Sequence, residues 1–156
     1  MGPAFAPKFF TLHELATASR LADLIIPRDE RSGSATDAGV PEFMDFILNE
    51  YEDMRMTYRG GLAWMDREAY GRYGKNFVDL SDADQRKILD DIAFPKKAVP
   101  ALSQGVHFFT KFRDLTASGF FSSKIGVEDL RYLGNEFVTE WKGCPPDALA
   151  KLGVKY

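Results

Sequence analysis

Apolar and polar positions alternate with a helical period along most of the chain. The clearest case is the stretch 106–121, in which Phe108, Phe112 and Leu115 stand at i, i+4 and i+7. This spacing predicts a helix with a broad apolar face that several other elements cover. We therefore expect the rest of the chain to pack around this aromatic helix.

The aromatic helix is predicted to end at Ser118-Gly119, because serine followed by glycine is typical of a helix C-terminus. Phe120 and Phe121 then form an apolar pair just beyond that end. The pair is expected either to fill the core or to contact another protein.

Two other helices begin at capping residues. Thr11 and Glu14, three residues apart, form a capping box, and Pro27 ends that helix because proline cannot continue the backbone hydrogen bonds. Ser81 begins another helix, with Asp84 at the third position, where the helix dipole favours a carboxylate. Both helix starts are therefore predicted from local chemistry alone.

A polar loop and a long helical period lie between those two helices. The loop, Arg28–Gly39, contains no apolar anchor before Val40 and is predicted to be a solvated linker. A helical stripe then continues to Tyr73, interrupted by Gly60-Gly61. Because an interior glycine costs about 1 kcal/mol relative to alanine, a helix break is predicted there. The alternative is a close helix crossing that requires bare backbone.

The pattern predicts an all-α fold, a compact single-domain bundle of about five main helices with an irregular C-terminal tail. Residues 1–10 are predicted to form an extended arm and 11–121 the helical core. Residues 122–156 are predicted as a tail of the same domain, with short helical turns near Val127–Leu133 and Asp147–Leu152. A chain of 156 residues can bury a core without disulfides.

Composition narrows the classes of function. The net charge is −3 and no segment concentrates lysine or arginine, which argues against nucleic acid as a ligand. The one cysteine, Cys144, excludes an intrachain disulfide and a cysteine-rich metal site. No window approaches the roughly 18 apolar residues of a membrane span, so no transmembrane segment is predicted. Thirteen phenylalanines are a heavy aromatic load, and some of these rings are expected to face a partner.

The sequence offers no recognisable catalytic constellation. His13 and His107 are the two histidines, and neither has a second ligand at helical spacing, so we predict no metal site. The acidic residues fall where helical faces should be exposed, and the glycines lack the spacing of a phosphate-binding loop. The residues alone therefore indicate a compact, aromatic-rich helical domain that is not self-evidently catalytic.

Several short segments, taken in order, carry a family pattern. They are Leu24-Ile25-Ile26-Pro27-Arg28-Asp29, Ala38-Gly39-Val40, Gly61-Leu62, Phe108-Phe109, Leu115-Thr116, Gly119-Phe120-Phe121, Tyr132-Leu133-Gly134-Asn135-Glu136-Phe137 and Trp141-Lys142-Gly143-Cys144-Pro145-Pro146. Their order and spacing resemble the gluconate 2-dehydrogenase subunit 3 family over about residues 12–152. No single segment is specific.

The resemblance implies a small non-catalytic subunit that binds a large flavoprotein of the glucose-methanol-choline oxidoreductase type. The chain itself is then not expected to be an enzyme or to hold a cofactor. FAD is expected in that partner, which oxidises a sugar or glycoside and passes electrons to a cytochrome subunit or another acceptor. The resemblance also implies that the small subunit supports export of its partner to the periplasm by the twin-arginine route. This chain departs from that pattern at its start, where no Arg-Arg pair and no apolar segment occur.

A partner interface is predicted on the C-terminal part of the chain. Its residues are Phe120, Phe121, Tyr132, Phe137 and Trp141, with Cys144 and Pro145 beside them. For Phe120 and Phe121 the alternative is membership of the chain's own core. The alternative function is an independent helical enzyme or ligand-binding protein with a closed aromatic pocket.

Overall fold

The structure is a computed structural model that describes residues 5–132, 134, 137, 139–140 and 142–155. Within this part the chain contains seven α-helices and no strand, which confirms the predicted all-α class. The helices are α1 (Leu12–Ile25), α2 (Val40–Glu50), α3 (Glu52–Tyr73), α4 (Asp82–Ile92), α5 (Ser103–Phe121), α6 (Lys124–Leu130) and α7 (Pro146–Leu152). Short 3₁₀ turns lie at Phe77–Asp79 and Pro100–Leu102. No helix in the described part is long and apolar enough to cross a membrane.

The aromatic helix α5 is the centre of the bundle, as its pattern predicts. It contacts α1, α2, α3, α4 and α6. Phe108 and Phe112 are buried, and their ring centroids lie 5.4 Å apart. Burying a large apolar side chain contributes about 1.5–3 kcal/mol, so this row of rings is a main source of stability.

Both predicted helix starts are confirmed. The Thr11 hydroxyl accepts a hydrogen bond from the Glu14 backbone N–H, and the Glu14 carboxylate accepts one from the Thr11 backbone N–H at 2.8 Å. The Ser81 hydroxyl accepts from the Asp84 backbone N–H at 3.2 Å. Each cap satisfies a donor that the helix itself leaves without a partner.

The predicted break near Gly60-Gly61 is wrong, and the alternative of a close crossing is right. Helix α3 runs through both glycines, and the chain breaks at Tyr51 instead. Arg55 stabilises that earlier break, because its guanidinium donates to the terminal carbonyls of α2 at Leu48, at 2.8 Å, and at Asn49. Tertiary contact thus outweighs the low helix propensity of glycine.

The predicted end of α5 at Ser118-Gly119 is also wrong, since the helix continues to Phe121. A Cβ on Gly119 would lie 2.7 Å from the Phe43 ring, so this glycine allows α2 to approach α5. Ser118 bonds back to the Asp114 carbonyl at 2.9 Å and remains within the helix. Ser118-Gly119, the pair that predicts a helix end, therefore lies inside the helix, where Gly119 allows the close packing of α2 on α5.

The N-terminal arm has no helix over residues 5–10, but the bundle holds it firmly. The buried Asp45 carboxylate accepts hydrogen bonds from the backbone N–H groups of Lys8, Phe9 and Phe10, at 2.8, 3.0 and 2.9 Å. Arg59 donates to the Phe9 carbonyl at 2.6 Å and lies over the Phe9 ring. The rings of Phe9 and Phe10 consequently belong to the core.

The loop between α1 and α2 has an apolar anchor, which corrects the prediction of a solvated linker. Ala35 is fully buried, and its backbone N–H donates to the Ile26 carbonyl at 3.0 Å. The backbone N–H and hydroxyl of Thr36 both donate to Asp23, at 2.8 and 2.7 Å. Arg31 reaches across to the Asp129 carboxylate at 2.8 Å and ties the loop to α6.

Candidate partner interface

The predicted interface residues around the end of α5 have different environments. Phe120 is only 1% exposed and belongs to the chain's own core, so it is withdrawn from the predicted contact surface. Phe121 is 41% exposed, and its ring packs edge to face against that of Phe120 with centroids 5.2 Å apart. One member of the pair thus holds the core together while its neighbour faces outward.

Helix α6 packs directly against this end of α5. A Cβ on Gly126 would lie 2.0 Å from the Phe120 carbonyl oxygen, so only glycine permits this approach. Tyr132 follows α6, is 67% exposed, and its backbone N–H donates to the Val127 carbonyl at 3.2 Å. Phe121 and Tyr132 are thus two exposed aromatic side chains, one at each end of α6 along the chain, and aromatic residues are enriched at protein contact surfaces.

The remaining predicted residues lie further along the chain. Phe137 is 91% exposed, and Cys144 and Pro145 are exposed as well. Trp141 lies outside the described residues. Exposure at Phe137 fits a contact role, because aromatic residues are enriched at protein interfaces.

A second candidate surface, missed by the sequence analysis, is an open groove between α3 and α5. Its volume is about 450 Å³, and Met56, Gly60 and Trp64 line it from α3 while Gln104 and His107 line it from α5. Met56 is 85% exposed at its edge. The sequence signal for this groove is Gly60-Gly61, whose low helix propensity predicts a helix break instead.

Two glycines let the helices that form the groove approach each other closely. A Cβ on Gly61 would lie 1.9 Å from the Phe108 ring, and one on Gly105 would lie 2.3 Å from the Trp64 ring. Each ring therefore lies close against the backbone of the opposite helix. Trp64 and Phe108 line the groove and are both buried, so they form its apolar floor.

A neighbouring cavity of about 380 Å³ continues the groove on the other side of α5. Ser103 and His107 line both cavities, and Val99, Pro100 and Lys111 line the second. The lining residues of the two cavities include His107 and Lys111 and no aspartate or glutamate. The combined surface is thus apolar at its floor, and Lys111 at its rim is the one charged side chain among these lining residues.

Tyr58 supports the groove from inside the bundle. Its hydroxyl donates to the Lys111 carbonyl at 3.0 Å and joins α3 to α5. Burial, with a smaller contribution from the Asp114 carboxylate, raises the pKa of Tyr58 to about 12. Tyr58 is therefore a neutral hydrogen-bond donor at physiological pH, with a structural role.

Titratable side chains in this structure form ion pairs at the surface and hydrogen bonds that join helices. Within the described residues, no group of three or more histidine, cysteine, aspartate or glutamate side chains could hold a metal ion. His13 lies 2.6 Å from Asp66, whose other carboxylate oxygen accepts from the Phe77 backbone N–H at 3.0 Å. This arrangement joins α1 to α3 and to the following turn.

Helix α4 carries the acidic residues that the sequence places on an exposed face. Hydrogen bonds from Arg86 and Arg20 lower the pKa of Asp82, and a hydrogen bond from Lys87 lowers that of Asp84. Exposed pairs of this kind contribute little to stability. They are consistent with a solvated helix face.

Comparison with known families gives one match. The model of the family described as gluconate 2-dehydrogenase subunit 3 matches residues 12–140 of the 156. Residues 141–146, which were part of the resemblance, lie beyond the matched range. Comparisons with curated proteins and with solved structures find no match. Since the family model covers most of the chain, from α1 past α6, this chain belongs to the gluconate 2-dehydrogenase subunit 3 family.

Proposed function

We propose that this chain is the non-catalytic small subunit of a flavin-dependent sugar or glycoside dehydrogenase complex. FAD and the oxidation of the sugar belong to a large flavoprotein subunit of the glucose-methanol-choline oxidoreductase type. A cytochrome subunit or another acceptor receives the electrons. The small subunit stabilises the large one and assists its export to the periplasm.

Membership of the family over residues 12–140 is the observation that carries this proposal. The surface of the chain supports it, because several large apolar side chains are exposed, among them members of the two candidate surfaces described above. Phe121 ends α5, Tyr132 follows α6, and Met56 lies at the α3–α5 groove. Aromatic residues and methionine are enriched where one protein covers another.

The physical effect on the large subunit follows from linkage. A protein that binds the folded state of its partner, and not the unfolded state, stabilises it by RT ln(1 + [L]/Kd). At a concentration about 100 times Kd this amounts to about 2.7 kcal/mol. Such a contribution is large beside the total stability of most domains.

Co-expression with the flavoprotein encoded beside this chain tests the proposal. We expect the two proteins to co-elute in a fixed ratio, with flavin bound to the large subunit. The large subunit expressed alone should be less soluble and should unfold at a lower temperature. A small chain that purifies as a stable monomer, and never co-elutes with a flavoprotein, would contradict the proposed function.

Export is tested in the natural host by cell fractionation. Deleting the gene for this chain should leave the dehydrogenase in the cytoplasm or degraded, and restoring the gene should return the activity to the periplasm. An unchanged distribution of dehydrogenase activity would remove the export role and leave the stabilising role to be judged by co-elution.

A further inference from the structure

The α3–α5 groove contains a glycine that this chain does not need for its own packing. Gly60 lies inside α3, where glycine destabilises a helix relative to alanine. A Cβ on Gly60 would meet no atom within 4 Å. On the adjacent Gly61 it would meet the Phe108 ring. Gly61 is therefore explained from within the chain, and Gly60 is not.

The surroundings of Gly60 suit the approach of another protein. Met56, one helical turn earlier on α3, is almost fully exposed at the edge of the groove, and methionine adapts its shape to a contacting surface. Trp64, one turn later, forms the floor with Phe108. Gly60 has no side chain and lies between Met56 and the floor formed by Trp64 and Phe108. The space above it can therefore hold one large apolar side chain of another protein.

The charge around the groove specifies the chemistry of what binds. His107 lines both cavities and Lys111 lines the second, while neither lining includes a carboxylate. In the described part of the chain Lys111 forms no salt bridge. An occupant with acidic side chains beside its apolar anchor is complementary to this rim.

We propose that the groove binds a segment of the catalytic subunit that inserts an apolar side chain beside Gly60 and directs carboxylates toward His107 and Lys111. This inference rests on the proposed function, because the occupant is the large subunit of the same complex. It adds a contact surface distinct from the one around Phe121 and Tyr132.

The decisive variant fills the groove without disturbing the fold. Gly60→Gln places a long side chain where the apolar anchor would lie, and glutamine is a better helix former than glycine. Gly71→Gln is the matched control, since Gly71 also lies in α3 with no atom within 4 Å of an added Cβ but does not line the groove. Both variants should unfold at or slightly above the wild-type temperature.

The measurement is the affinity of each purified variant for the flavoprotein that co-purifies with the wild-type chain. We expect Gly60→Gln to bind about tenfold more weakly and Gly71→Gln to bind like the wild type. If the wild type and both variants bind the flavoprotein with equal affinity, the groove is not the binding site, and the proposed function stays intact. If no flavoprotein co-purifies with the wild-type chain, the proposed function and this inference both fail.

Charge reversal tests the acidic character of the occupant. Lys111→Glu should weaken binding severalfold, and the loss should shrink as salt is added, because salt screens exposed charges. Lys75→Glu makes the same change in net charge at an exposed lysine outside the groove and should have little effect. Equal losses for the two variants would show that only net charge matters and would overturn the proposed rim contact.

A second copy of this chain is the competing occupant. Sedimentation of the wild-type chain alone, over a range of concentrations, should show a monomer. A dimer that Gly60→Gln dissociates and Gly71→Gln does not would assign the groove to self-association and overturn the proposal.

Discussion

Helix α5 and the stretch after residue 132 contain the same kinds of side chain in opposite environments. Phe108, Phe112 and Phe120 of α5 are all buried among other helices, whereas Phe137 is almost fully exposed and Leu152 is exposed on α7. Of the described residues after 132, none is buried. Aromatic content therefore does not by itself distinguish a core from a contact surface.

The difference arises from what surrounds each segment. Helix α5 crosses α3 at a distance that two glycines set, and it is covered by helices from every part of the first hundred residues. Helix α7 has seven residues and no buried side chain. A helix that short is marginal in water without a partner, so its apolar residues gain most from contact with another surface.

The largest expected effect comes from changing the α3–α5 crossing. Gly61→Ala should destabilise the chain by about 3 kcal/mol, because its Cβ would overlap the buried Phe108 ring and force the helices apart. Gly60→Ala is the neighbouring control and should raise stability by up to about 1 kcal/mol. Chemical denaturation of both variants gives the comparison, and equal stabilities would show that the crossing is not tightly packed.

Release of the N-terminal arm should have the next largest effect. Asp45→Asn replaces one carboxylate oxygen with an N–H donor that faces the Lys8 backbone N–H, so we expect a loss of about 1–3 kcal/mol. Faster hydrogen exchange at Phe9 and Phe10 should accompany it. The exposed Asp79→Asn serves as control, with an expected change within about 0.5 kcal/mol. A small effect at Asp45 would mean that the arm contributes little to the core.

Removal of the C-terminal stretch should affect the stability of the chain less than its affinity for the partner. A chain ending at Tyr132 keeps every described buried residue, so its free energy of unfolding should fall by less than about 1 kcal/mol. Its affinity for the catalytic flavoprotein should fall, since Phe137 would be lost from the proposed contact surface. A drop in stability above about 2 kcal/mol would instead assign this stretch to the core.

Low pH should weaken the hydrogen bonds within the loop between α1 and α2, which also contacts α6. Backbone N–H groups of Ser32 and Arg31 lower the pKa of Asp29, and that of Ser34 lowers the pKa of Asp37. The folded state therefore favours the ionised carboxylates. Their contribution is present above the ordinary aspartate pKa of about 4 and is lost as the pH falls through the lower folded values.

NMR titration of the backbone amides of Ser32 and Ser34 measures this effect. Both signals should shift below about pH 4, and in Asp29→Asn only that of Ser34 should still do so. Because Arg31 contacts Asp129, the α6 amides should follow to a smaller extent. Shifts that leave Ser32 unaffected would contradict the assigned cause.

Local features of the chain were sufficient to predict much of the fold. The caps at Thr11 and Ser81 and the aromatic period of α5 depend on residues a few positions apart, and the structure confirms all three. The family pattern could likewise be identified from the order of short segments, and the family match confirms it over residues 12–140. The sequence also indicated exposed apolar residues near Tyr132 and Phe137.

Only the tertiary structure decided which glycines end a helix and which permit a crossing. Gly61, Gly105 and Gly119 have the same local signature as helix breakers, yet each lies inside a helix against a ring from another one. The fate of Phe120 and Phe121, adjacent in sequence and opposite in exposure, depends on the same packing. Helical period and capping are set by neighbours along the chain, whereas the close approach of two helices depends on residues some 40 to 80 positions apart, which no local pattern contains.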